Sequence, residues 1–348
     1  MIEKIRLGKT DMMVTRVGFG GIPIQRLNEE EAVSVVKRCL ELGVNFLDTA
    51  NGYTTSEERI GKAIAGRREG LILATKSLSR SREGVAKHLQ QSLKQLGVDS
   101  VDLYQFHSVS DTKSLDAVLD PNGPMSVVQA ARKAGKIKHI GITSHQIDVA
   151  KKAIESDQFE TIMFPFNFVT DEAAKELLPL TREHDMGFID MKPLAGGMIS
   201  NARLAFKYLF GFPDVVTIPG IEKPGEIEEI IGILSGPHKL TAAEKKEMQA
   251  LKKQLGTRFC HRCDYCQPCT EGIAISTVMI YPSLAARLPS NQLYTGFWAT
   301  VMDKAAECSQ CGDCEERCPY HLPIRDIIAE HYEQYERQKL QYHKSAAL

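Results

Sequence analysis

The segment Phe46-Leu47-Asp48-Thr49-Ala50-Asn51-Gly52-Tyr53 begins as a short apolar strand and ends in a polar turn. Asp48 stands where the apolar run stops, and Tyr53 follows the turn signal Asn51-Gly52. Two ionisable side chains are therefore placed where the backbone leaves a predicted core. A lone Asp and Tyr here would indicate a helix cap and a packing residue. The same pattern, however, recurs at the ends of the next two strands.

Short apolar runs alternate with helical patterns along the first two thirds of the chain. The predicted strands cover residues 17–20, 45–49, 71–76, 101–107, 137–143, 161–166, 187–191 and 215–219. The predicted helices cover residues 29–42, 56–65, 82–96, 125–134, 148–155, 171–184, 202–210 and 225–234. Such alternation favours an α/β fold, a closed (β/α)8 TIM barrel, over an open sheet. No G-x-G-x-x-G motif follows the first strand. Residues 4–17 predict an N-terminal β-hairpin that plugs the bottom of the barrel.

Composition excludes several classes of partner. The 43 Lys and Arg residues nearly balance the 44 Asp and Glu residues, so no net field attracts nucleic acid or an anionic membrane. The chain starts without a continuous apolar segment, and no run of about 18 apolar residues follows. We expect a soluble cytoplasmic protein that binds neither nucleic acid nor membrane. Its 348 residues exceed a barrel of about 250, which predicts a second, smaller domain.

Ionisable side chains end the strands that follow Asp48. Lys76 closes an apolar strand, where a lysine must reach water or pair with a carboxylate, and Asp48 is that carboxylate. His107 ends the next strand; a single histidine there is more often structural, but four such residues on consecutive strands favour a site. A nearby ammonium stabilises the phenolate of Tyr53, and His107 would orient a carbonyl. No residue supplies hydride, so we expect a nicotinamide cofactor in the same barrel mouth.

These motifs resemble the aldo-keto reductase superfamily over about residues 1–236. Asp48 in Leu-Asp-Thr-Ala, Tyr53 in Asn-Gly-Tyr, Lys76 in Ala-Thr-Lys and His107 in Gln-Phe-His-Ser match that family's catalytic tetrad. The resemblance implies NAD(P)H-dependent interconversion of small aldehydes or ketones and alcohols in a TIM barrel. It makes Tyr53 the proton donor, with Lys76 and Asp48 tuning it and His107 orienting the carbonyl.

The resemblance also implies a nicotinamide site. Ser144, in Gly-Ile-Thr-Ser, is the candidate for the carboxamide, although His145 stands where the family often has Asn. Pro165 holds the place of a common Gln, which leaves Asn167 as a substitute. The seventh strand departs from the family's aromatic residue and Ser-Pro-Leu-Gly turn, and resembles members with a ferredoxin-like tail. Lys192 either approaches the pyrophosphate or substrate or is a solvated rim residue. The predicted cofactor residues of this turn are Met191, Lys192, Pro193, Leu194 and Gly196.

The segment after the eighth strand resembles the family's adenosine-binding segment. NADP-dependent members place a Lys just after the strand and an Arg in the first helical turn, and here Gly220 and Glu226 hold those places, after Pro219. A carboxylate would repel a 2′-phosphate and accept hydrogen bonds from a free ribose, which favours NAD(H) over NADP(H). Lys223 would partly offset this. In the alternative, Glu226 only stabilises the helix N-terminus.

The cysteines are concentrated in the last third of the chain. Cys39 lies on the apolar face of a predicted helix and is expected to be an inert core residue. A spacing of two residues favours metal over disulfides. The run from Cys308 to Cys318 has the bacterial ferredoxin spacing, and the run from Cys260 to Cys269 has one residue fewer between its last two cysteines. Eight thiolates suit two [4Fe-4S] clusters; two zinc sites are the alternative. The eight candidate ligands are Cys260, Cys263, Cys266, Cys269, Cys308, Cys311, Cys314 and Cys318.

In two-cluster ferredoxins the fourth cysteine of each run binds the other cluster. We therefore expect one cluster on Cys260, Cys263, Cys266 and Cys318, and the other on Cys308, Cys311, Cys314 and Cys269. The predicted domains are an aldo-keto reductase barrel over residues 1–240, a connector helix over 241–258, and a small helical ferredoxin-like iron-sulfur domain over 259–348.

The role of the clusters has two interpretations. They are structural and fold a lid beside the barrel mouth, or they receive electrons from a ferredoxin-like partner. Direct coupling to hydride transfer would need a flavin or a radical substrate, and a motif for neither is recognisable. A further alternative is an iron-sulfur electron-transfer or regulatory protein in which the barrel is a binding scaffold. The intact tetrad argues against that alternative, and the loops and tail are expected to set substrate specificity.

Overall fold

A computed structural model describes residues 2–262 and 264–346, which form two compact units, Met1–Ala242 and Ala243–Leu348. Each unit has its own apolar core. Within the described part of the chain, no helix combines the length and apolar character needed to span a membrane.

The first unit is a parallel barrel preceded by a β-hairpin. The hairpin pairs β1 (Lys4–Arg6) with β2 (Met13–Thr15) in antiparallel register. The barrel strands, each hydrogen-bonded to the next, are β3 (Phe19–Gly20), β4 (Phe46–Asp48), β5 (Ile72–Ser77), β6 (Val101–Phe106), β7 (Ile137–Thr143), β8 (Thr161–Pro165), β9 (Gly187–Met191) and β10 (Val215–Ile218).

The first and last barrel strands meet along a seam of small residues. Parallel bridges join Val17 to Thr217 and Gly20 to Gly220, and the amide of Gly18 donates to the carbonyl of Thr217 at 2.9 Å. The predicted barrel is therefore confirmed over the open sheet. Apolar side chains fill its interior, and Leu7 from the hairpin region packs into this cluster, as expected of a plug at the bottom of the barrel.

Helices surround the barrel and bury one face each against the strands. Asn28 begins the first with a capping box completed by Glu31. Cys39 lies fully buried in this layer, and burial raises the pKa of its thiol to about 12, which confirms it as an inert core residue. The helices are α1 (Glu29–Glu41), α2 (Ser56–Ile64), α3 (Arg82–Leu96), α4 (Thr112–Leu119), α5 (Pro124–Lys133), α6 (Ile147–Glu155), α7 (Glu172–Glu176), α8 (Leu178–Glu183), α9 (Ala202–Leu209) and α10 (Pro224–Leu234).

The described residues of the second unit form helices joined by loops, and none of them form a β-strand. Tyr281, Met302 and Tyr335 form the centre of its core, into which the side chains of Cys266, Cys314 and Cys318 also pack. The helices are α11 (Ala242–Gly256), α12 (Ile275–Val278), α13 (Tyr281–Ala285), α14 (Ser290–Tyr294), α15 (Phe297–Asp303), α16 (Asp313–Glu316) and α17 (Ile324–Ala346).

Candidate active site and cysteine-lined cavities

The four predicted catalytic residues lie together at the carboxyl-terminal end of the barrel. Asp48 ends β4, Lys76 is the next-to-last residue of β5, and His107 directly follows β6. Tyr53 lies in the turn between β4 and α2. Because neighbouring parallel strands end at the same rim, the local sequence places all four side chains around one point.

Lys76 is the centre of this group and is only 1% exposed. Its Nζ lies 2.5 Å from Asp48 Oδ2, donates to the carbonyl of Thr49 at 2.7 Å, and lies 5.0 Å from the centroid of the Tyr53 ring. Burial alone would lower the pKa of Lys76, but attraction to Asp48 and Tyr53 outweighs burial, so that pKa is raised. Lys76 therefore holds a buried positive charge against the phenol ring.

His107 faces Tyr53 from the next strand. The two ring centroids are 5.6 Å apart, with the ring planes at 82°. Its Nδ1 is buried and makes no hydrogen bond to another described residue. Burial, and then the positive charges of Lys76 and Arg80, hold the pKa of His107 well below its ordinary value. The ring is therefore neutral at physiological pH and has a polar atom available for a ligand.

Two residues of this site were missed by the sequence analysis. Gln105 is fully buried, and its Nε2 donates to Asp48 Oδ1 at 3.1 Å. A signal existed, because Gln105 lies two residues before His107 and its side chain faces the same interior as Asp48. Arg80 donates from Nη2 to the carbonyl of His107 at 2.7 Å. It lies in a loop, where no periodic pattern would indicate this contact.

The residues predicted for the nicotinamide differ in how freely they could contact a ligand. Ser144 is fully buried after β7, and its hydroxyl approaches the carbonyl of Gln146 at 3.3 Å. Met191 ends β9, half-buried at the edge of the barrel interior. Asn167 accepts the amides of Val169 and Thr170, both at 2.9 Å, and donates to the carbonyl of Lys192 at 3.0 Å. The Asn167 side chain therefore joins the loop after β8 to the turn after β9.

The turn after β9 has an unusual backbone. Lys192, Ala195 and Gly196 adopt positive φ angles of 63°, 50° and 70°, and Gly196 is the residue type that does so without a steric penalty. Pro193 is buried, and Leu194 packs against the core of the barrel unit. Pro193 and Leu194 thus anchor the predicted cofactor turn, and the turn follows β9 at the rim that carries the tetrad.

The predicted adenosine segment is tightly built. Pro219 accepts the amide of Gly20 at 2.8 Å, and a Cβ on Gly220 would lie 2.7 Å from the Pro23 side chain. Glu226 Oε2 accepts the amides of Glu222 at 2.7 Å and Lys223 at 3.0 Å. The carboxylate therefore caps α10, which is the alternative interpretation of this residue. Its charge nevertheless stays beside the segment.

Seven of the eight predicted cluster ligands line two cavities in the second unit. Cys263 lies outside the described residues. The first cavity is lined by Cys269, Cys308, Cys311 and Cys314. The second is lined by Cys260, Cys266 and Cys318. Each cavity thus combines cysteines from both runs in the sets expected from crossed ligation.

Comparison with known proteins identifies the first unit. Residues 16–205, more than half of the chain, match the model of the Aldo/keto reductase family. The chain belongs to the aldo/keto reductase family. This result agrees with the barrel, the strand-end site and the resemblance noted in the sequence.

Relatives of this aldo/keto reductase have varied names. An "Uncharacterized oxidoreductase YqkF" of Bacillus subtilis is 29% identical over 58% of this chain and 68% of its own length. The L-galactose dehydrogenase of Arabidopsis thaliana is 31% identical over 57% of this chain and 67% of its own. The holo form of aldo-keto reductase AKR11C1 from Bacillus halodurans is 26% identical, with a TM-score of 0.63, over 72% of this chain and 96% of that one.

The second unit of this aldo/keto reductase matches a different family. Residues 259–323 match the model of a 4Fe-4S dicluster domain, a range that includes all eight clustered cysteines. The protein is therefore an oxidoreductase of the aldo/keto reductase family with a C-terminal, mostly helical 4Fe-4S domain.

Proposed function

We propose that this aldo/keto reductase interconverts small aldehydes or ketones and alcohols with NAD(P)H as hydride donor, and that Tyr53 is the proton donor. The observation that supports this assignment is the buried ammonium of Lys76, held by Asp48 at 2.5 Å and 5.0 Å from the Tyr53 ring. His107 completes the group, with its ring 5.6 Å from that of Tyr53.

Each side chain has a distinct part in the reduction. The Tyr53 hydroxyl gives its proton to the carbonyl oxygen, and the ammonium of Lys76 stabilises the phenolate that remains. Asp48, itself held by Gln105, keeps Lys76 charged and in place. The neutral imidazole of His107 donates an N–H to the carbonyl oxygen, so that developing negative charge meets a fixed dipole.

A bound nicotinamide would supply the hydride. The chemistry of the residues fits such a group, because the unpartnered Nδ1 of His107, the Ser144 hydroxyl and the Met191 thioether lie at or beside the ends of barrel strands at this rim. We propose that Ser144 and Asn167 lie nearest the carboxamide, and that the turn after β9 and the segment from Pro219 to Glu226 hold the rest of the cofactor.

Replacement of Tyr53 tests the assignment. In Tyr53→Phe we expect kcat for carbonyl reduction to fall by about 10²–10⁴, because the lost proton donor acts in the transition state. The dissociation constant of the reduced cofactor should stay nearly unchanged. Tyr104→Phe is the matched control: its ring is buried in the same sheet, and its hydroxyl contacts Ser77 and the Val85 carbonyl, the latter at 3.5 Å, and no member of the tetrad among the described residues. Carbonyl reduction at the wild-type rate in Tyr53→Phe would refute the proposal.

We further propose that the second unit binds two [4Fe-4S] clusters and exchanges electrons with a ferredoxin-like partner. The exposed thiol of Cys311, beside the buried Cys314, supports electron exchange at the first cavity, because an outside protein could approach that edge. Anaerobic potentiometry on the whole protein, followed by electron paramagnetic resonance, should find reducible clusters. Clusters that stay oxidised across the accessible range would leave only the structural role.

A further inference from the structure

Arg80 connects the loop after β5 to the backbone that carries His107. Its Nη2 donates to the carbonyl of His107 at 2.7 Å and to that of Ser108 at 3.1 Å. Its Nη1 donates to the carbonyl of Leu78 at 3.0 Å. A guanidinium is a planar fork of donors, so one side chain can fix carbonyl groups from two strand ends at once.

The backbone at this point needs to be held. Ser108 has a φ of +55°, a left-handed conformation that is uncommon for a residue other than glycine. The amide of His107 donates to Ser77 at 2.9 Å, and the amide of Ser108 donates to Thr143 Oγ1 at 2.7 Å. Neighbouring strands therefore satisfy the donors of this segment, and Arg80 satisfies its two acceptors. The hydrogen bonds from the neighbouring strands and from Arg80 together fix the backbone here, and therefore the direction in which the His107 ring leaves it.

The charged groups that act on the His107 imidazole are positive. Lys76 on β5 and Arg80 in the loop after it act on the imidazole, and Tyr53 faces it from the turn after β4. The carboxylate of Asp48 is paired with Lys76, and Asp111, before α4, acts on Arg80. No carboxylate of the described residues forms an ion pair with His107. A proton added to this ring would meet two positive charges.

We propose that Arg80 is a positioning residue of the active site: it holds His107 through the backbone and keeps the imidazole neutral during turnover. This inference rests on the proposed function, in which neutral His107 orients the carbonyl. Arg80 itself touches neither the substrate nor the cofactor in this scheme.

Two substitutions separate charge from geometry. Arg80→Gln removes the positive charge and keeps one amide donor, whereas Arg80→Lys keeps the charge and loses the fork. Arg82→Gln is the matched control, because the side chain of the exposed Arg82 donates to the carbonyl of Asn122, at 3.4 Å, and to no other described residue. The pH profile of kcat/KM and the NMR titration of His107 in selectively labelled protein, assigned by its loss in His107→Gln, are measured for each.

In Arg80→Gln we expect the pKa of His107 to rise, but to stay below its ordinary value because burial and Lys76 still hold it down. Because imidazolium would then form at higher pH, the acid limb of kcat/KM should move upward relative to wild type. Arg80→Lys should keep the wild-type acid limb but show a lower kcat. Arg82→Gln should match wild type in both measurements.

An unchanged His107 titration and acid limb in Arg80→Gln would overturn the proposal. If Arg80→Gln does not fold, Arg80→Lys decides, because a wild-type kcat in that variant would show that the fork does not position His107. A wild-type kcat/KM in His107→Gln would instead refute the catalytic role of His107. The NMR shift in Arg80→Gln would still establish the electrostatic contact.

Discussion

Lys76 carries its charge where water does not reach it. Burying an ammonium is costly unless the charge is paired, and here Asp48 Oδ2 and the Thr49 carbonyl lie within 2.7 Å of Nζ. An apolar pair of similar size would commonly be as stable or more so. The charge pair is thus better explained by the proposed chemistry at Tyr53 than by stability.

Removal of one member of the pair should show this directly. We expect Asp48→Asn to lower the free energy of unfolding of the barrel by about 3–5 kcal/mol, because Lys76 is left buried without its carboxylate. The double variant Asp48→Asn with Lys76→Met should recover much of that loss and yet remain inactive. Urea unfolding and carbonyl reduction measure the two effects. A double variant that is active would argue that the pair serves stability alone.

The cofactor preference also depends on one residue. We propose NAD(H) over NADP(H), because the Glu226 carboxylate lies beside the adenosine segment. Since Glu226 also caps α10, Glu226→Gln is the informative variant: it keeps an acceptor for the amides of Glu222 and Lys223 and removes the charge. One charge interaction of about 1 kcal/mol predicts about a fivefold relative gain in NADPH affinity.

Fluorescence titration of both reduced cofactors measures this preference. Glu226→Arg should extend the shift beyond that of Glu226→Gln, and Glu226→Ala should destabilise the helix start without favouring NADPH further than Glu226→Gln does. Tighter binding of NADPH than of NADH by the wild-type protein would contradict the assignment.

Residues at strand ends were predictable, and residues that support them were less so. Asp48, Lys76 and His107 each interrupt an apolar run, which is a strong local signal. Arg80 acts through the backbone of a residue 27 positions away, a contact that leaves no local pattern. The capping bonds of Glu226 were one of two interpretations of a single acidic residue, and only the folded structure distinguishes the direction of its side chain.

At the scale of elements, periodicity predicted all eight strands of the barrel but not every helix boundary. The predicted helix over residues 171–184 is divided into α7 and α8, because Pro179 cannot continue the preceding turn. In the second unit, Pro282 likewise lies at the start of α13, which follows α12 after a short break. Helix α4 was not predicted; Thr112–Leu119 is only eight residues long and buries two of them, Leu115 and Val118.

The seam between β3 and β10 is sterically restricted by backbone atoms. A Cβ on Gly20 would lie 2.7 Å from the carbonyl oxygen of Pro219, and backbone atoms cannot move aside as a flexible side chain can. We expect Gly20→Ala to destabilise the barrel by about 1–3 kcal/mol. Thermal unfolding followed by circular dichroism in the far ultraviolet measures the effect.

Gly232→Ala provides the opposite expectation. Gly232 lies within α10, and a methyl group added there would meet nothing within 4 Å, so alanine should stabilise the helix by about 0.5–1 kcal/mol. Equal effects of the two substitutions would show that the seam does not restrict residue size.

At the scale of the whole molecule, the chain contains two compact units whose cores differ in composition. The barrel unit buries aliphatic and aromatic side chains between strands and helices, whereas the second unit is small and includes cysteines in its core. The density of cysteines in the last third made this division predictable. The bounds of its short helices were harder to predict, because a small core that includes cysteines carries less of the periodic apolar pattern on which such predictions depend.

Iron content tests the proposed cluster sites. Anaerobically purified protein should hold about eight iron and eight sulfide per chain. With crossed ligation, the double variant Cys269→Ser with Cys308→Ser alters one site and should keep about four iron. The double variant Cys266→Ser with Cys269→Ser alters both sites and should keep almost none.

The opposite result for the two double variants would mean that each cysteine run binds its own cluster. Cys39→Ala, in the core of the barrel, is the control and should keep the full iron content. Zinc in place of iron, or about four iron in the wild-type protein, would contradict the two-cluster proposal.

The mixed origin of the cysteines around each cavity has a consequence for biosynthesis. The last cysteine of the first cavity is Cys314 and that of the second is Cys318, whereas the last barrel strand ends at Ile218. Translation proceeds from the N-terminus at about 5–20 residues per second, so the barrel strands leave the ribosome seconds before either set of thiols is complete. By the proposed crossed ligation, both clusters would be assembled only after the barrel strands have been made, and a product truncated before Cys308 would carry the barrel strands without a complete set of ligands for either cluster.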